Sequence, residues 1–98
     1  MELERRRLND DEIALGVAQI EGWQLVDGKL LREYIFADFV EAIGFMVRTA
    51  ICAQSLNHHP EWSNVYNVVR VELQTHDVGG ISAYDFELAI KMNALAGC

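Results

Sequence analysis

The residues best suited to chemistry in this sequence are its three histidines, which all lie within nineteen residues. His58 and His59 are adjacent and precede Pro60, and His76 follows Thr75. Imidazole changes its charge near neutral pH, and neighbouring copies can supply a proton donor and a proton acceptor together. A lone loop histidine is more often only a polar surface group. The grouping of all three favours acid/base catalysis over that interpretation.

A zinc site is an alternative interpretation, because three imidazoles can bind the metal and leave one coordination position open for water. Adjacent histidines point in different directions, however, and the sequence has neither an HExxH motif nor a CxxC pair. The two cysteines, Cys52 and Cys98, form neither a disulfide framework nor a metal-binding motif. We therefore expect no metal site and a reducing environment.

Three helix starts are predicted by capping boxes, in which a polar N-cap residue precedes an acidic residue by three positions. The pairs are Asn9 with Glu12, Asp38 with Glu41, and Ser82 with Asp85. The predicted helices end near Gly22, Leu56 and Leu95. Apolar residues at helical spacing are Ile13, Val17 and Ile20 in the first helix, Phe39, Ile43, Met46 and Ala50 in the second, and Phe86, Ile90 and Ala94 in the third.

The strands are predicted from branched and aromatic residues and from alternation. Trp23–Val26 and Leu30–Phe36 flank Asp27-Gly28, a dipeptide that favours a tight hairpin turn. Apolar and polar residues alternate from Val65 to Gln74, which is typical of a strand with one buried face. The stretch from Trp62 to His76 is long enough to bend and supply two strands. We predict an α+β fold: a four-stranded antiparallel sheet with three helices packed on one face.

Self-association is predicted from two features. Hydrophobic residues make up 51% of the sequence, above the roughly 45–50% that is usual for a soluble domain. The long strand from Val65 to Gln74 would also offer unpaired backbone groups to another chain if it formed an edge of the sheet. We therefore expect a homodimer or homotetramer, with pairing through this strand as one route.

Length and charge exclude several classes of protein. The 98 residues favour a single domain, 1–98, in which residues 1–8 form a frayed tail. The net charge of −7 argues against direct DNA or RNA binding, and Arg5 to Arg7 is interpreted as part of the solvated tail. The sequence contains no apolar run of about 20 residues and no signal-peptide pattern at its start. We expect a cytoplasmic protein that binds no membrane.

The histidines belong to a longer recognisable pattern. It comprises LNHHPEWSNVYN at 56–67, VELQTH at 71–76, and Gly80-Ile81-Ser82 with Asp85. Upstream it includes Gly22-Trp23, Phe36, Asp38-Phe39 and Gly44-Phe45-Met46. In these residues the sequence closely resembles the pterin-4a-carbinolamine dehydratase family, over roughly residues 8 to 95.

The resemblance implies an enzyme that removes water from a 4a-hydroxytetrahydropterin and leaves a quinonoid dihydropterin for reductive recycling. It implies no redox cofactor and no metal, and a functional link to an aromatic amino acid hydroxylase. The reaction must protonate the departing 4a-hydroxyl and take a proton from the adjacent ring nitrogen. An acid and a base are therefore needed together on one small ligand.

By position, the resemblance implies that His58 and His76 are the acid/base pair and that His59 binds and orients the substrate. The other residues that it places at the substrate are Pro60, Trp62 and Asp85. Core packing explains Trp62 equally well, because large aromatic side chains are mostly buried for packing. Helix capping with Ser82 explains Asp85 equally well.

One position departs from the family pattern. Members commonly have Glu-Lys before the Leu-Asn-His-His-Pro run, and this sequence has Gln54-Ser55. Gln54 keeps a hydrogen-bonding side chain but loses a negative charge that would stabilise a nearby protonated histidine. A lower activity or a downward shift of the pH optimum is the expected consequence.

A second functional class is a non-catalytic interaction protein. Relatives of this family resemble dimerisation cofactors for transcription factors or assembly factors for a carbon-fixing enzyme. Such a binding module has no physical need for three titrating groups around one pocket. The three histidines therefore favour catalysis.

Overall fold

The computed structural model describes residues 3–97, which form three α-helices and one four-stranded sheet. All neighbouring strands pair antiparallel, in the order β1-β2-β4-β3. The predicted α+β fold is therefore confirmed. In chain order the elements are α1 (Asp10–Gln19), β1 (Gln24–Val26), β2 (Lys29–Ile35), α2 (Phe39–Leu56), β3 (Glu61–Val65), β4 (Val68–Leu73), a 3₁₀ turn (His76–Val78) and α3 (Ala83–Ala96).

Two tight hairpins build the sheet. Asp27 and Gly28 join β1 to β2 with φ angles of 51° and 77°, which are the positive values that a type I′ turn requires. Tyr66 also has a positive φ, 51°, and the chain reverses there between β3 and β4. The Asn64 side chain donates to the carbonyl oxygens of Tyr66 and Val68, which satisfies the turn. The stretch from Trp62 to His76 thus bends into two strands, as predicted.

The predicted edge strand is wrong. The alternation from Val65 to Gln74 does not belong to one strand, since the turn interrupts it, and Val65 is 76% exposed. Its main part, β4, lies in the interior of the sheet and pairs with β2 on one side and β3 on the other. Pairing of β4 with a second chain is therefore excluded. The edges of the sheet are β1 and β3.

The core lies on one face of the sheet. Along β4, Val69, Val71 and Leu73 are completely buried, whereas Arg70 between them is exposed. The helices cover the buried face, because Phe45 of α2 joins these residues in one hydrophobic cluster. The helix and strand periodicities therefore converge on one core, as expected for a small α+β domain.

Side chains cap all three helices at their predicted starts. Asn9 and Glu12 form a complete capping box at α1. A second complete box, between Ser82 and Asp85, begins α3. At α2 only half of the predicted box forms: the Asp38 carboxylate accepts from the backbone N–H of Glu41 at 2.9 Å.

The buried faces of α2 and α3 differ from the predicted apolar stripes. The core face of α2 consists of Ala42, Phe45, Thr49 and Ala53. The core face of α3 consists of Asp85, Leu88, Ala89 and Met92. Both helices are apolar around most of their circumference, so spacing alone does not identify the buried side.

One side of α2 is apolar and exposed. Its exposed side chains are Phe39, Val40, Ile43, Val47 and Ile51, with exposed fractions from 37% to 76%. By length and composition alone α2 could cross a membrane, and 22% of it is buried in the protein. Core helices of soluble proteins pass the same test. The packing of Phe45 in the core is typical of such a helix.

The N-terminal segment differs from the expected frayed tail. The Leu8 N–H donates to the Ile81 carbonyl at 2.8 Å, and the Tyr84 hydroxyl donates to the Leu3 carbonyl at 3.2 Å. Leu8 packs against the core. Backbone hydrogen bonds and apolar contact thus attach residues 3–8 to the start of α3, and residues 1 and 2 lie outside the described range.

The topology brings the histidines to one end of the sheet. The first residue of β3, Glu61, pairs with Glu72 near the end of β4. His58 and His59 come just before β3, and His76 comes just after β4. Antiparallel pairing therefore places both histidine groups at the same sheet end.

Candidate active site

His58 is fixed at its backbone and at its ring. Asn57 has a left-handed conformation that ends α2, and the His58 N–H donates to the Ala53 carbonyl at 3.0 Å. The ring is nearly buried, and its Nε2 lies 2.6 Å from Oδ1 of Asp85. A carboxylate accepts hydrogen bonds, so Nε2 carries the hydrogen and Nδ1 is left for another partner.

Asp85 is the centre of a buried hydrogen-bond network. Its Oδ2 accepts from the Thr75 hydroxyl at 2.8 Å and from the Ser82 backbone N–H at 2.9 Å. Because the Thr75 hydrogen is used on Asp85, Thr75 Oγ1 accepts from the Ser82 hydroxyl at 2.6 Å. With the His58 contact, three donors satisfy one carboxylate that has no exposed surface. The network also connects His58 to Thr75, the residue before His76.

The sequence left two roles open for Asp85, helix capping and substrate binding. The structure shows the capping role, and it shows a contact to His58 in place of an exposed substrate contact. The bond from Ser82 N–H is the predicted capping box. The bond to His58 places Asp85 in the candidate site. The predicted substrate contact differs from what the structure shows, because Asp85 is 0% exposed and both of its oxygens already bind protein groups. Asp85 therefore acts on His58 in this arrangement.

His76 also contacts a carboxylate, but at the surface. Its Nε2 lies 3.1 Å from Oε1 of Glu61, and the side chain of His76 is 74% exposed. Gln74 donates to the same Glu61 oxygen at 3.2 Å, and Lys29 Nζ binds the other oxygen at 3.1 Å. The Lys29 hydrogen bond, followed by that of Gln74, holds the pKa of Glu61 below its usual range. Glu61 is therefore a carboxylate at neutral pH.

His59 has a neutral partner. Its Nε2 lies 3.0 Å from the side-chain oxygen of Gln54, and the residue is exposed. Gln54 is the position where the family commonly has Glu, so here an amide oxygen replaces a carboxylate. Pro60 follows, half-buried, and leads directly into β3. The loop of His59 and Pro60 thus lies between the end of α2 and the sheet edge.

Trp62 shows the packing role that the sequence left open. It is half-buried against the core, opposite Val71 of β4. It also lines a cavity of about 200 Å³ together with Glu61, Ser63, Arg70 and Glu72. Its predicted contact with substrate stays a prediction.

Arg5 brings a cation to the edge of the site, where the sequence interpretation had placed a solvated tail. Its guanidinium carbon lies 4.3 Å from the centre of the Tyr84 ring, and Nη1 lies 3.6 Å from Asp77. The Tyr84 ring in turn lies 5.8 Å from the His58 ring. Arg5 is therefore connected to both histidine groups: Tyr84 lies between Arg5 and His58, and Asp77 is the neighbour of His76 in the sequence.

The histidines, Asp85 and Gln54 were identified from the sequence, but Thr75 beside Asp85 and Glu61 beside His76 were missed. Thr75 and Glu61 both lie inside the recognisable pattern, yet neither has a chemical signal of its own there. Gln74 and Lys29 reach the site only through pairing of β2, β3 and β4. Within residues 3–97, no three His, Cys, Asp or Glu side chains converge as metal ligands.

Comparison with known proteins shows the family to which this chain is similar. The model of the family described as pterin 4 alpha carbinolamine dehydratase matches residues 6–95. A relative from Solibacter usitatus, provisionally named a pterin-4-alpha-carbinolamine dehydratase, is 52% identical over 92% of this chain and 95% of its own length. A relative of the same provisional name from Chelativorans sp. is 47% identical over 94% of this chain and 96% of its own length.

A solved structure has the same fold. It is described as a transcriptional coactivator/pterin dehydratase from Brucella melitensis and is 45% identical to this chain. It covers 94% of this chain and 100% of its own, with a TM-score of 0.91. The four-stranded sheet and three helices are therefore shared with a relative of known structure.

Proposed function

Because this chain belongs to the pterin 4 alpha carbinolamine dehydratase family, we propose that it dehydrates 4a-hydroxytetrahydropterin by histidine acid/base catalysis. The observation that supports this most strongly is the pairing of His58 and His76 with separate carboxylates at one end of the sheet. The proposed place of the reaction is tetrahydropterin recycling in the cytoplasm, after an aromatic amino acid hydroxylase has formed the substrate. Catalysis by these residues requires no additional cofactor.

The proposed chemistry uses His58 and His76 as the acid/base pair. One protonated imidazole donates to the 4a-hydroxyl, which leaves as water when its bond to C4a breaks. The other imidazole takes the proton from N5, and the N5 electron pair forms the new double bond to C4a. Asp85 and Glu61 stabilise the positive charge on each ring while it holds the proton. Two imidazoles with carboxylate partners suit this exchange.

His59 is proposed to bind the pterin substrate and not to transfer protons. Its partner, Gln54, is neutral, so no carboxylate stabilises a positive charge on this ring. An exposed imidazole next to Pro60 can still donate a hydrogen bond to the pterin ring. Pro60 restricts the loop that presents it. Trp62 is proposed to form a wall of the pocket from its position on β3.

A stopped-flow assay on enzymatically generated 4a-hydroxytetrahydropterin tests this function. We expect dehydration well above the uncatalysed rate, because acid/base catalysis by a positioned side chain typically contributes about 10²–10⁴-fold. A rate equal to the uncatalysed background would contradict the proposal. It would favour the second candidate, a dimerisation or assembly cofactor, which the description of the Brucella melitensis protein as a transcriptional coactivator supports.

We further propose that the chain forms a homodimer or homotetramer through the exposed face of α2, not through β4. This face carries five apolar and no charged side chains: Phe39, Val40, Ile43, Val47 and Ile51. It is self-complementary, because two antiparallel copies centred on position 45 would bring position 39 against 51 and position 43 against 47. A closed two-fold interface requires this kind of symmetry.

Light scattering at micromolar concentration tests the assembly. The wild-type protein should have a multiple of the 11.1 kDa chain mass, and Val47→Asp should reduce it to the monomer because it buries a charge in the interface. Leu15→Asp is the control, since Leu15 is also exposed, at 65%, but lies on α1. A wild-type monomer across a dilution series, or an intact Val47→Asp oligomer, would contradict this interface.

A further inference from the structure

Glu61 occupies the junction between the sheet and His76. Its two oxygens have different partners: Oε2 accepts from Lys29 Nζ at 3.1 Å, and Oε1 faces His76 Nε2 at 3.1 Å and Gln74 Nε2 at 3.2 Å. The residue begins β3, so its backbone is fixed by antiparallel pairing with Glu72. A rigid strand therefore presents one carboxylate oxygen to the imidazole.

The partners of His76 are consistent with only one arrangement of hydrogens on the neutral ring. Glu61 can only accept, so Nε2 must donate. On the other side, Gln74 Nε2 lies 3.5 Å from Nδ1 of His76. The same Gln74 nitrogen donates to Glu61. If the amide were flipped, its oxygen would face the Glu61 carboxylate and the two oxygens would repel each other. The amide is therefore a donor toward Nδ1, and Nδ1 is the acceptor.

We propose that Glu61 is a positioning residue of the dehydratase site: it fixes His76 as the Nε2–H tautomer and leaves Nδ1 as the nitrogen that meets the substrate. This inference rests on the proposed function of His76 in proton transfer. The Gln74 contact at Nδ1 is at the limit of hydrogen-bond distance, so a substrate group can displace it at little cost. The Glu61 contact is shorter and charge-assisted, so it remains.

The arrangement repeats at the surface what Asp85 does in the interior. Asp85 binds Nε2 of His58, and Glu61 binds Nε2 of His76. Both rings would therefore offer Nδ1 to the substrate. The other charged groups around His76 are Asp77, which pairs with Arg5, and Glu72, which pairs with Lys29. No contact joins either of these carboxylates to His76 in the described residues.

Glu72 supplies a matched control for Glu61. The two residues face each other in the register of β3 and β4. Glu72 lies 3.7 Å from Lys29 and 3.8 Å from Arg70, and within residues 3–97 no hydrogen bond or ion pair joins it to a histidine. Glu72→Gln thus removes the same charge and another partner of Lys29, but leaves His76 alone. Both glutamates are solvent-exposed in part, so the isosteric changes to Gln should leave the fold intact.

The experiment combines a spectroscopic readout with kinetics. Long-range ¹H–¹⁵N correlation on ¹⁵N-histidine protein, at pH ~8.5, about two units above the usual imidazole pKa, identifies the tautomer of each ring. We expect the Nε2–H form for His76 in the wild type and in Glu72→Gln, and a tautomer mixture in Glu61→Gln. The Glu61→Gln variant should lower kcat roughly 10- to 100-fold, by analogy with the loss of the hydrogen-bond partner of a metal-bound imidazole.

The conservative variant Glu61→Asp keeps a carboxylate, whereas Gln offers a neutral amide that can present either a donor or an acceptor, so Asp should restore part of both effects. An unchanged His76 tautomer in Glu61→Gln, or an unchanged kcat beside a changed tautomer, would overturn the positioning role. An equal loss of kcat in Glu72→Gln would overturn it as well, because charge alone would then explain the effect. If the wild type itself had no dehydratase activity, the proposed function would fail, while the tautomer would still show whether Glu61 holds the ring.

Discussion

His58 and His76 are each bonded to a carboxylate, but the two pairs lie in very different surroundings. The side chain of His58 is 7% exposed and that of Asp85 is 0% exposed. For His76 and Glu61 the corresponding values are 74% and 43%. The buried pair is held by the fold, through the cap of α3 and through Thr75, which lies two residues after β4. The exposed pair is held by neighbouring charged and amide side chains.

The difference in burial between the two pairs predicts different effects on stability. A buried carboxylate must have its hydrogen bonds satisfied by the protein, so removing or altering Asp85 leaves several groups without partners. An exposed carboxylate is replaced by water at little cost, so Glu61 can be changed without destabilising the fold. Variants of Asp85 should therefore change both stability and turnover, whereas variants of Glu61 should change turnover with little effect on stability.

The largest effect is expected from Asp85→Asn. It replaces an acceptor with a group that cannot satisfy His58, Thr75 and Ser82 together, and should lower the free energy of unfolding by about 1–3 kcal/mol. It should also lower kcat by roughly 10²-fold or more, because the His58 tautomer is no longer fixed. Denaturant unfolding and stopped-flow kinetics measure the two effects. Ser82→Ala is the control: it removes a capping hydroxyl and should reduce stability while kcat stays the same. Normal turnover in Asp85→Asn would contradict a catalytic role for the contact between Asp85 and His58.

His59→Ala should have a smaller effect, and a different one. Because its ring pairs with neutral Gln54, we expect KM to rise, on the order of 10-fold, with kcat changed much less. Steady-state kinetics at several pterin concentrations separates the two constants. A fall in kcat as large as that of His58→Ala would show that His59 transfers a proton.

Asp38→Ala should change stability without changing the site. Its carboxylate caps α2 through the Glu41 N–H, and losing such a cap costs about 0.5–2 kcal/mol. The cap lies at the far end of an 18-residue helix from His58. We expect a lower melting temperature and normal turnover. Loss of turnover at an unchanged melting temperature would mean that Asp38 acts in the site.

The smallest expected effect is a pH-dependent difference in stability between the wild type and Glu61→Gln. Lys29 and Gln74 lower the pKa of Glu61 in the folded protein. The contribution to stability is therefore fully present above the ordinary glutamate pKa of about 4.3, and is lost as the pH falls through the lower folded value. Melting curves should differ slightly between wild type and Glu61→Gln at pH 7 and converge in acid. A difference that grew toward low pH would contradict this sign.

The parts of the fold that local chemistry determines could be predicted from the sequence. Asp27-Gly28 has the residues that tolerate positive φ, and the caps at Asn9 and Ser82 combine a short polar side chain with an acidic residue three positions later. The grouping of His58 and His76 was also visible. These features depend on neighbours in the chain.

The rest depends on contacts that are distant in sequence. Glu61 meets Lys29 and His76 only because of the β2-β4-β3 register, which the alternation from Val65 to Gln74 concealed. The turn at Tyr66 lacked a glycine that would have marked it. In α2 the core face uses the small residues Ala42, Thr49 and Ala53, while larger apolar residues remain exposed, so the apolar spacing does not identify the buried side.

The proposed mechanism requires His58 and His76 together for the dehydration. The direct measurement is the stopped-flow rate of the double variant His58→Ala with His76→Ala, checked by circular dichroism for native secondary structure. Each single variant should lose roughly 10²–10⁴-fold in turnover, and residual activity is expected where the other imidazole remains. The folded double variant should approach the uncatalysed rate. Dehydration by that variant at the wild-type rate would contradict the histidine mechanism.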